Sequence, residues 1–146
     1  MQYSQNTVIE MYYFMEANAE KACGLDTEEQ TVDFIAQHAA CDLIHISRAD
    51  DGKIRGLLFG WPIHRRDDYD GEYVEEPDGD TYYVNMFVAR KKLMLSEFWP
   101  TSAQALRDSI LHRHGSRLKN LCFHRGKHSD RFQMMPFNQF NVEKGM

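Results

Sequence analysis

The chain lacks the long apolar run that a membrane-spanning helix needs. No stretch of its 146 residues comes near the roughly 20 consecutive apolar side chains of such a helix. The first residues also do not follow the basic-then-apolar order of a secretory signal. We therefore expect a cytoplasmic protein that has no membrane as a partner.

Cysteine is scarce, and several catalytic motifs are missing. Cys23, Cys41 and Cys122 are far apart and form no Cys-x-x-Cys pair, which argues against a disulfide framework or a zinc knuckle and predicts a reducing compartment. The chain has no Walker-type loop and no Gly-x-Ser-x-Gly elbow. The densest histidine groups, His112–His114 and His124–His128, lack the spacing and acidic partners of a metal site. We expect no metal.

Charge is unevenly distributed. The net charge is −5, and eight acids lie between His64 and Asp80, whereas residues 107–131 hold seven Arg or Lys and four His. The acids form either a solvated face or a contact for a basic substrate. The basic stretch, around Arg125, Lys127, His128 and Arg131, is either solvated or an anion cradle. Because the whole chain is acidic, nucleic acid is the less expected partner.

The N-terminal third predicts two helices. Thr7-x-x-Glu10 is a capping-box pattern, and apolar residues follow it at helical spacing, so we expect a helix over Thr7–Ala22. Thr27-x-x-Gln30 opens a second helix that places Ile35 and its neighbours on one face. A length of 146 residues predicts one domain with one core.

The middle of the chain predicts a hairpin followed by a long loop. Asp42–Arg48 and Ile54–Ile63 are strands, joined by an Asp-Asp-Gly turn. Gly56 and Gly60 inside the second strand indicate a bulge or a close approach of another backbone. The loop that follows, His64–Asp80, is long for a compact domain and suggests a functional flap or a mobile hairpin.

The last half predicts a strand–helix–strand unit, the usual scaffold for a ligand at strand ends and a helix N-terminus. We expect a strand, a helix, a second strand, a helical turn ended by Pro136 and a closing strand. Their predicted bounds are Thr81–Ala89, Ser102–His114, Leu118–His124, Ser129–Met135 and Phe137–Val142.

This order of elements resembles the fold of the GNAT (GCN5-related N-acetyltransferase) family. Three segments carry the resemblance: Arg48–Gly56 looks like the family's charged hairpin, Asn85-Met-Phe-Val88 sits where its fourth strand runs toward acyl-CoA, and Phe132–Phe137 lines up with its Tyr-x-x-x-Gly-Phe ending. The expected fold is a single α+β domain over residues 1–146, with a mixed, mostly antiparallel sheet flanked by helices.

The resemblance implies an acyl-CoA-dependent N-acyltransferase with acetyl-CoA as its small-molecule acyl donor. Asn85 and the backbone near Val88 would polarise the thioester carbonyl, and Glu72, Glu75 or Asp80 would serve as base through a water. Tyr82 or Tyr83 would be the acid. The remaining cofactor contacts would come from Phe87, Val88, Arg90, Lys91, Lys92, Thr101 and Ser102. A purely structural role stays open for each.

Two departures from the family favour an alternative. The stretch Arg90–Ser102 has no glycine, although the family cradles the pyrophosphate with a glycine-rich loop. Phe132 stands at the position of the tyrosine that often serves the family as general acid, and phenylalanine cannot donate a proton. Short GNAT-like phage proteins, including a podophage group linked to virion assembly, have similar spacing. The alternative is therefore a non-catalytic GNAT-fold protein that acts through protein contacts, in the host cytoplasm or in the virion.

Overall fold

The computed structural model describes residues 3–19, 25–90, 104–125 and 131–137. Within them the chain forms three helices and five strands in an α+β arrangement. In chain order these are α1 (Gln5–Asn18), α2 (Glu28–Ala40), β1 (Ile44–Arg48), β2 (Ile54–Ile63), β3 (Thr81–Ala89), α3 (Gln104–His114), β4 (Asn120–Arg125) and β5 (Arg131–Pro136).

The five strands form one sheet in the order β1-β2-β3-β4-β5. Neighbouring strands are antiparallel, except that β3 and β4 run parallel. A parallel pair needs a crossover connection, and α3 lies between the two strands in the chain. The expected mixed, mostly antiparallel sheet with flanking helices is confirmed.

Helix α1 begins earlier than its sequence pattern predicts. The Ser4 side chain accepts a hydrogen bond from the Thr7 amide, so Ser4 caps the helix and Thr7 lies within it. The helix ends at Asn18 rather than Ala22. In α2 the predicted capping box is present: the Thr27 side chain accepts from the Gln30 amide, and the Gln30 side chain accepts from the Thr27 amide.

Both glycines of β2 lie beside irregularities in strand pairing. The β1–β2 register shifts next to Gly56, and the β2–β3 register shifts between Phe59 and Gly60. A Cβ on Gly60 would lie 2.3 Å from the Tyr83 carbonyl oxygen. Only glycine allows this approach. The bulge or close backbone contact that the glycines predict is therefore present at Gly60.

Each face of the sheet carries its own apolar cluster. On the face covered by α1 and α2, called the α1–α2 face, Met11, Met15 and Ile35 pack on β2 side chains such as Leu57 and Phe59. On the opposite α3 face, Leu106 and Ile110 of α3 pack with residues that include Leu58, Tyr82 and Leu121. A third cluster, around Trp61, Tyr83 and Cys122, borders the long loop.

That loop, residues 64–80, is called the acidic loop, and it is held against the sheet. Tyr69 is buried, and its hydroxyl accepts a hydrogen bond from the Trp61 indole at 2.9 Å. Glu76 accepts from the His64 amide at 2.9 Å and pairs with Arg66 at 2.7 Å. The Trp61 contact and a hydrogen bond from the Glu76 amide to the Pro62 carbonyl at 2.9 Å attach the loop to the end of β2, and the side-chain contacts of Glu76 join residues within the loop.

The predicted helical turn over Ser129–Met135 is wrong for its described part. Residues Arg131–Pro136 are instead the strand β5, paired antiparallel with β4 from Asn120↔Pro136 to Arg125↔Arg131. One edge of β4 is engaged by β3, and pairing with β5 satisfies the backbone groups of its other edge, which outweighs the local turn pattern. Pro136 falls at the strand end, where proline is tolerated. Phe137 follows β5, and positions 138–142 of the predicted final strand lie outside the described residues.

Candidate active site

Asn85 forms a bulge in the middle of β3. Gly60 pairs with Val84 and Phe59 pairs with Met86, so Asn85 is an extra residue that opposes no partner on β2. Asn85 and Met86 consequently both lie toward the α1–α2 face, where Asn85 meets His38 and Met86 packs on the apolar cluster. Bulges of this kind re-aim side chains and are common beside active sites.

The parallel pairing of β3 with β4 stops next to this bulge. The register runs from Thr81↔Asn120 to Val84↔Phe123. Strand β3 continues to Ala89 and β4 continues to Arg125, but among the described residues no ladder pair joins them beyond Val84. We call the region where this ladder ends, between Asn85 on β3 and His124 on β4, the β3–β4 wedge.

Tyr83 and His124 meet across the base of the β3–β4 wedge. The Tyr83 hydroxyl and His124 Nδ1 are hydrogen-bonded at 2.8 Å. The Phe132 ring of β5 lies 5.1 Å from the His124 ring, and the Tyr69 ring lies 4.9 Å from that of Tyr83. Burial raises the pKa of Tyr83 to about 12. Tyr83 is therefore a neutral phenol at physiological pH and can donate a proton.

Beside Asn85 a cleft of about 530 Å³ opens on the α1–α2 face. Its wall is largely apolar and aromatic, with few polar groups, as is usual for small-molecule sites. It is formed by the C-terminal end of α2, β2, β3 and the acidic loop. The lining residues are Gln37, His38, Ala40, Cys41, Leu43, Trp61, Gly71, Tyr73 and Asn85.

His38 is the buried polar side chain of this cleft. Its Nδ1 lies 2.7 Å from the Phe34 carbonyl oxygen, and its Nε2 lies 3.3 Å from the Asn85 amide nitrogen. Rings of Phe34, Phe59 and Trp61 surround the imidazole. Burial lowers the pKa of His38 from its usual value, so the ring is neutral at physiological pH.

The acidic loop borders the cleft through Gly71 and Tyr73. The Tyr73 hydroxyl donates to the Glu75 carboxylate at 3.0 Å. Gly71 lies between Asp70 and Glu72, and a Cβ added to it would lie 2.7 Å from the Tyr83 hydroxyl. The cleft and the Tyr83–His124 pair are therefore neighbours, separated by Gly71.

Two predicted catalytic residues lie on the same face of β3, and the third lies apart. Tyr83 stands at the base of the β3–β4 wedge and Asn85 at the edge of the cleft. Glu75 is exposed on the acidic loop and reaches the cleft through Tyr73. Tyr82, the alternative acid, is 0% exposed within the cluster of the α3 face, and Tyr83 is 4% exposed on the opposite face.

The predicted cofactor-binding residues are divided between β3 and the segment that follows it. The Phe87 side chain packs on the α3 face and the Val88 side chain packs on the α1–α2 face. Because both side chains are engaged in these clusters, a ligand would contact these two residues through their backbone. The Arg90 guanidinium donates to the Ile54 carbonyl at 2.8 Å. Lys91, Lys92, Thr101 and Ser102 lie outside the described residues.

His38 and His124 are site residues that the sequence reading missed or took for something else. His38 shares the buried side of α2 with Thr31 and Ile35. A histidine on the buried side of a helix is the sequence feature that could have indicated it. The sequence indicates His124 only as a member of a histidine group that lacks the spacing of a metal site. Among the described residues, no group of three His, Cys, Asp or Glu side chains is placed to hold a metal ion, and no helix has the length and apolarity to cross a bilayer.

Comparison with known proteins identifies the fold. One similar solved structure is the GphF GNAT-like decarboxylase in complex with isobutyryl-CoA, which superposes with a TM-score of 0.57 at 8% sequence identity. The match covers 85% of this chain and 64% of that one, so the chain spans less than two thirds of the decarboxylase's length. No family model and no curated protein matches the sequence. At this identity the likeness concerns the fold alone, and the fold is GNAT-like.

Proposed function

We propose that the chain binds an acyl-CoA in the β3–β4 wedge and transfers the acyl group to an amine. The observation that carries the proposal is the end of the parallel β3–β4 register at Val84↔Phe123, directly beside the Asn85 bulge. A gap between two adjacent strands offers backbone groups to an extended, amide-containing arm such as that of CoA. The GNAT-like decarboxylase carries isobutyryl-CoA on a similar fold, which supports the choice of ligand.

The residues around the wedge fit an acyl-thioester. The backbone of Phe87 and Val88 would hold the pantetheine arm, and Asn85 with the amide near Val88 would polarise the thioester carbonyl. Arg90 and, in the segment after β3, Lys91, Lys92, Thr101 and Ser102 would supply charge and donors for the phosphates. CoA itself supplies an activated acyl group with a good leaving thiolate.

Tyr83 would act as the proton donor to that thiolate. The resemblance places Phe132 where the family has its general-acid tyrosine. The Phe132 ring contacts His124, and His124 is hydrogen-bonded to Tyr83. A phenolic O–H is thus present next to the position where it has been lost. As the amine nitrogen bonds to the acyl carbon and the C–S bond breaks, the sulfur takes the Tyr83 proton. Glu75, acting through a water, would accept the proton that the amine loses.

Calorimetric titration with acetyl-CoA and isobutyryl-CoA, with free CoA alongside, tests binding. We expect micromolar binding of the acyl-CoAs. Tyr83→Phe should keep that affinity and lower the rate of thiol release at least about tenfold, in the range of one general acid. Tyr82→Phe is the matched control, because it removes a buried hydroxyl from the opposite face and should change neither quantity.

A second candidate is a GNAT-fold protein without catalysis, such as a phage virion or host-interaction component. Ile9 and Tyr13 favour it, since they are 45% and 65% exposed and lie one helical turn apart on α1, as in a protein-contact face. Failure of acetyl-CoA and isobutyryl-CoA to bind at millimolar concentration would retire the first function. Loss of a partner on Ile9→Ser and Tyr13→Ser substitution would then support the second.

A further inference from the structure

The hydrogen bonds of His38 determine which way the Asn85 amide faces. A carbonyl oxygen can only accept, so the 2.7 Å contact with Phe34 places a proton on His38 Nδ1. A neutral imidazole has one N–H, which leaves Nε2 as an acceptor. The atom of Asn85 that lies 3.3 Å from Nε2 must therefore be the donating Nδ2.

This orientation leaves Oδ1 as the atom that Asn85 can offer to a ligand in the cleft. A side-chain amide has two N–H donors on Nδ2 and one acceptor, Oδ1. One N–H is given to His38, and Oδ1 lies at the opposite end of the amide. Asn85 consequently provides an acceptor that a ligand N–H can meet.

The charge around the cleft agrees with that polarity. Of its described lining residues none is Lys or Arg. The acidic loop brings carboxylates to the same side: Asp70 and Glu72 flank the lining residue Gly71, and Glu75 accepts from the lining residue Tyr73. Such a surface favours cations. The walls formed by Leu43, Trp61 and Tyr73 offer apolar and aromatic contact to the rest of a ligand.

We propose that the cleft binds a primary ammonium compound with a flat apolar body, and that its N–H donates to Asn85 Oδ1. His38 is then a positioning residue, which acts by fixing the Asn85 amide. The proposal rests on the proposed function only in making this ligand the acyl acceptor, because binding in the cleft does not require acyl-CoA.

The arrangement makes ligand choice dependent on pH. When His38 is protonated, Nε2 becomes a donor, and the Asn85 amide must turn so that Oδ1 accepts from it. Nδ2 then faces the cleft and no longer suits an ammonium group. The neighbours of the imidazole from α2 and β2 are the uncharged rings of Phe34, Phe59 and Trp61. The other ionisable groups toward the cleft are Cys41, Asp70, Glu72, Tyr73 and Glu75, and Tyr83 and His124 lie beyond Gly71.

Tyramine, and 4-hydroxyphenylacetate as its matched anion, are the probes for calorimetric titration. At about pH 7.5 we expect tyramine to bind at least about tenfold more tightly than the anion, and to lose affinity as the pH falls through the lowered pKa of His38. Asn85→Leu should reduce the preference and leave only the part that the carboxylates of the acidic loop supply. Asn6→Leu, at an exposed position on α1 that does not line the cleft, is the matched control and should leave the preference unchanged.

Two His38 variants separate positioning from general packing. His38→Leu should weaken tyramine binding at least about tenfold. His38→Gln can still accept from Asn85 Nδ2, so it should restore tyramine binding at neutral pH and make the affinity independent of pH down to about pH 5. The carboxylates of the acidic loop are common to both proteins, so they cannot produce this difference.

Equal affinity for the two probes, no binding of either at millimolar concentration, or an unchanged pH dependence in His38→Gln would each overturn the proposal. Acetyl-CoA titrated into the same samples separates the two claims. Tyramine binding without acetyl-CoA binding would contradict only the proposed function. Acetyl-CoA binding without a preference for tyramine would contradict only the ammonium site.

Discussion

At the scale of single residues, two glycines share a backbone conformation but differ in their surroundings. Gly52 and Gly71 both have φ of +84°, in the left-handed region that other residues occupy at a cost. A Cβ on Gly52 would meet nothing within 4 Å, whereas a Cβ on Gly71 would lie 2.7 Å from the Tyr83 hydroxyl. Substitutions at Gly52 and Gly71 can therefore distinguish the cost of backbone strain from the cost of crowding the candidate site.

Alanine at each position gives the first prediction. Gly52→Ala should lower the free energy of unfolding by about 1 kcal/mol, the usual cost of a left-handed non-glycine residue. Gly71→Ala should cost more, because the same strain is joined by displacement of the Tyr83 hydroxyl from His124. Urea unfolding gives the energies, and the ring signals of His124 in NMR spectra report the displacement. Equal costs and unchanged His124 signals in both variants would contradict it.

The sequence predicts Tyr83 and Asn85 as site residues but not His38, whose ring contacts the Asn85 amide. Both residues lie on a strand whose alternating apolar pattern was clear, and the family resemblance pointed to that strand. His38 lies 47 positions from Asn85, and only the fold brings the two together. Nothing local distinguishes a histidine that orients a ligand-binding amide from one that fills a core.

At the scale of elements, a buried polar contact joins β1 to α3. His45 is 1% exposed, and its Nδ1 is hydrogen-bonded to the Ser109 hydroxyl at 2.7 Å. Arg113 donates to the Asp42 and Ile44 carbonyls at 2.8 and 3.0 Å. Burial first, and then the nearby Arg113 charge, hold the pKa of His45 well below its usual value.

This contact predicts that acid weakens the docking of α3. The unfolded chain binds a proton at His45 as pH falls below about 6.5, while the folded chain does not until its depressed pKa is reached. Stability is therefore fully present above pH 6.5 and falls below it, by at most about 1.4 kcal/mol per pH unit from this residue. Burial likewise lowers the pKa of His38 and, to about 4, that of His114, so they act in the same direction.

Urea unfolding between about pH 7.5 and pH 5.5 measures the slope above the range where most carboxylates titrate. His45→Gln keeps a partner for Ser109 and should reduce the slope without removing it. His112→Gln, an exposed position on the same helix, is the control and should leave the slope as in the parent protein. A parental slope in His45→Gln would show that His45 is not the group responsible.

Elements with a strong periodic pattern were predictable, and the edge strand was not. Strands Ile54–Ile63 and Thr81–Ala89 match their predicted bounds, because apolar runs bounded by turn residues leave little choice. Strand β5 has mixed side chains, of which Phe132 through Met135 are half-buried. Its conformation is set by the backbone groups of β4, a long-range cause that no local pattern records.

At the scale of the whole molecule, the sheet separates two apolar clusters of different composition. Ile110 of α3 belongs to the cluster on the α3 face, and Ile35 of α2 belongs to the cluster on the α1–α2 face. Both side chains are 0% exposed. If the described elements form one cooperative domain, as the length of the chain predicts, both clusters must melt in the same transition.

Ile→Val substitutions test this without unfolding the protein. Ile110→Val and Ile35→Val should each cost about 0.5–1.5 kcal/mol. Because the sheet lies between them, the double variant should cost their sum to within about 0.5 kcal/mol. Ile35→Val combined with Ile44→Val is the comparison, since these two residues share a cluster and are allowed to couple. Urea transitions followed by far-UV circular dichroism and by tryptophan fluorescence should coincide in every variant. Separation of the two curves by Ile110→Val alone would mean that the α3 face unfolds independently, and that the chain is not one cooperative domain.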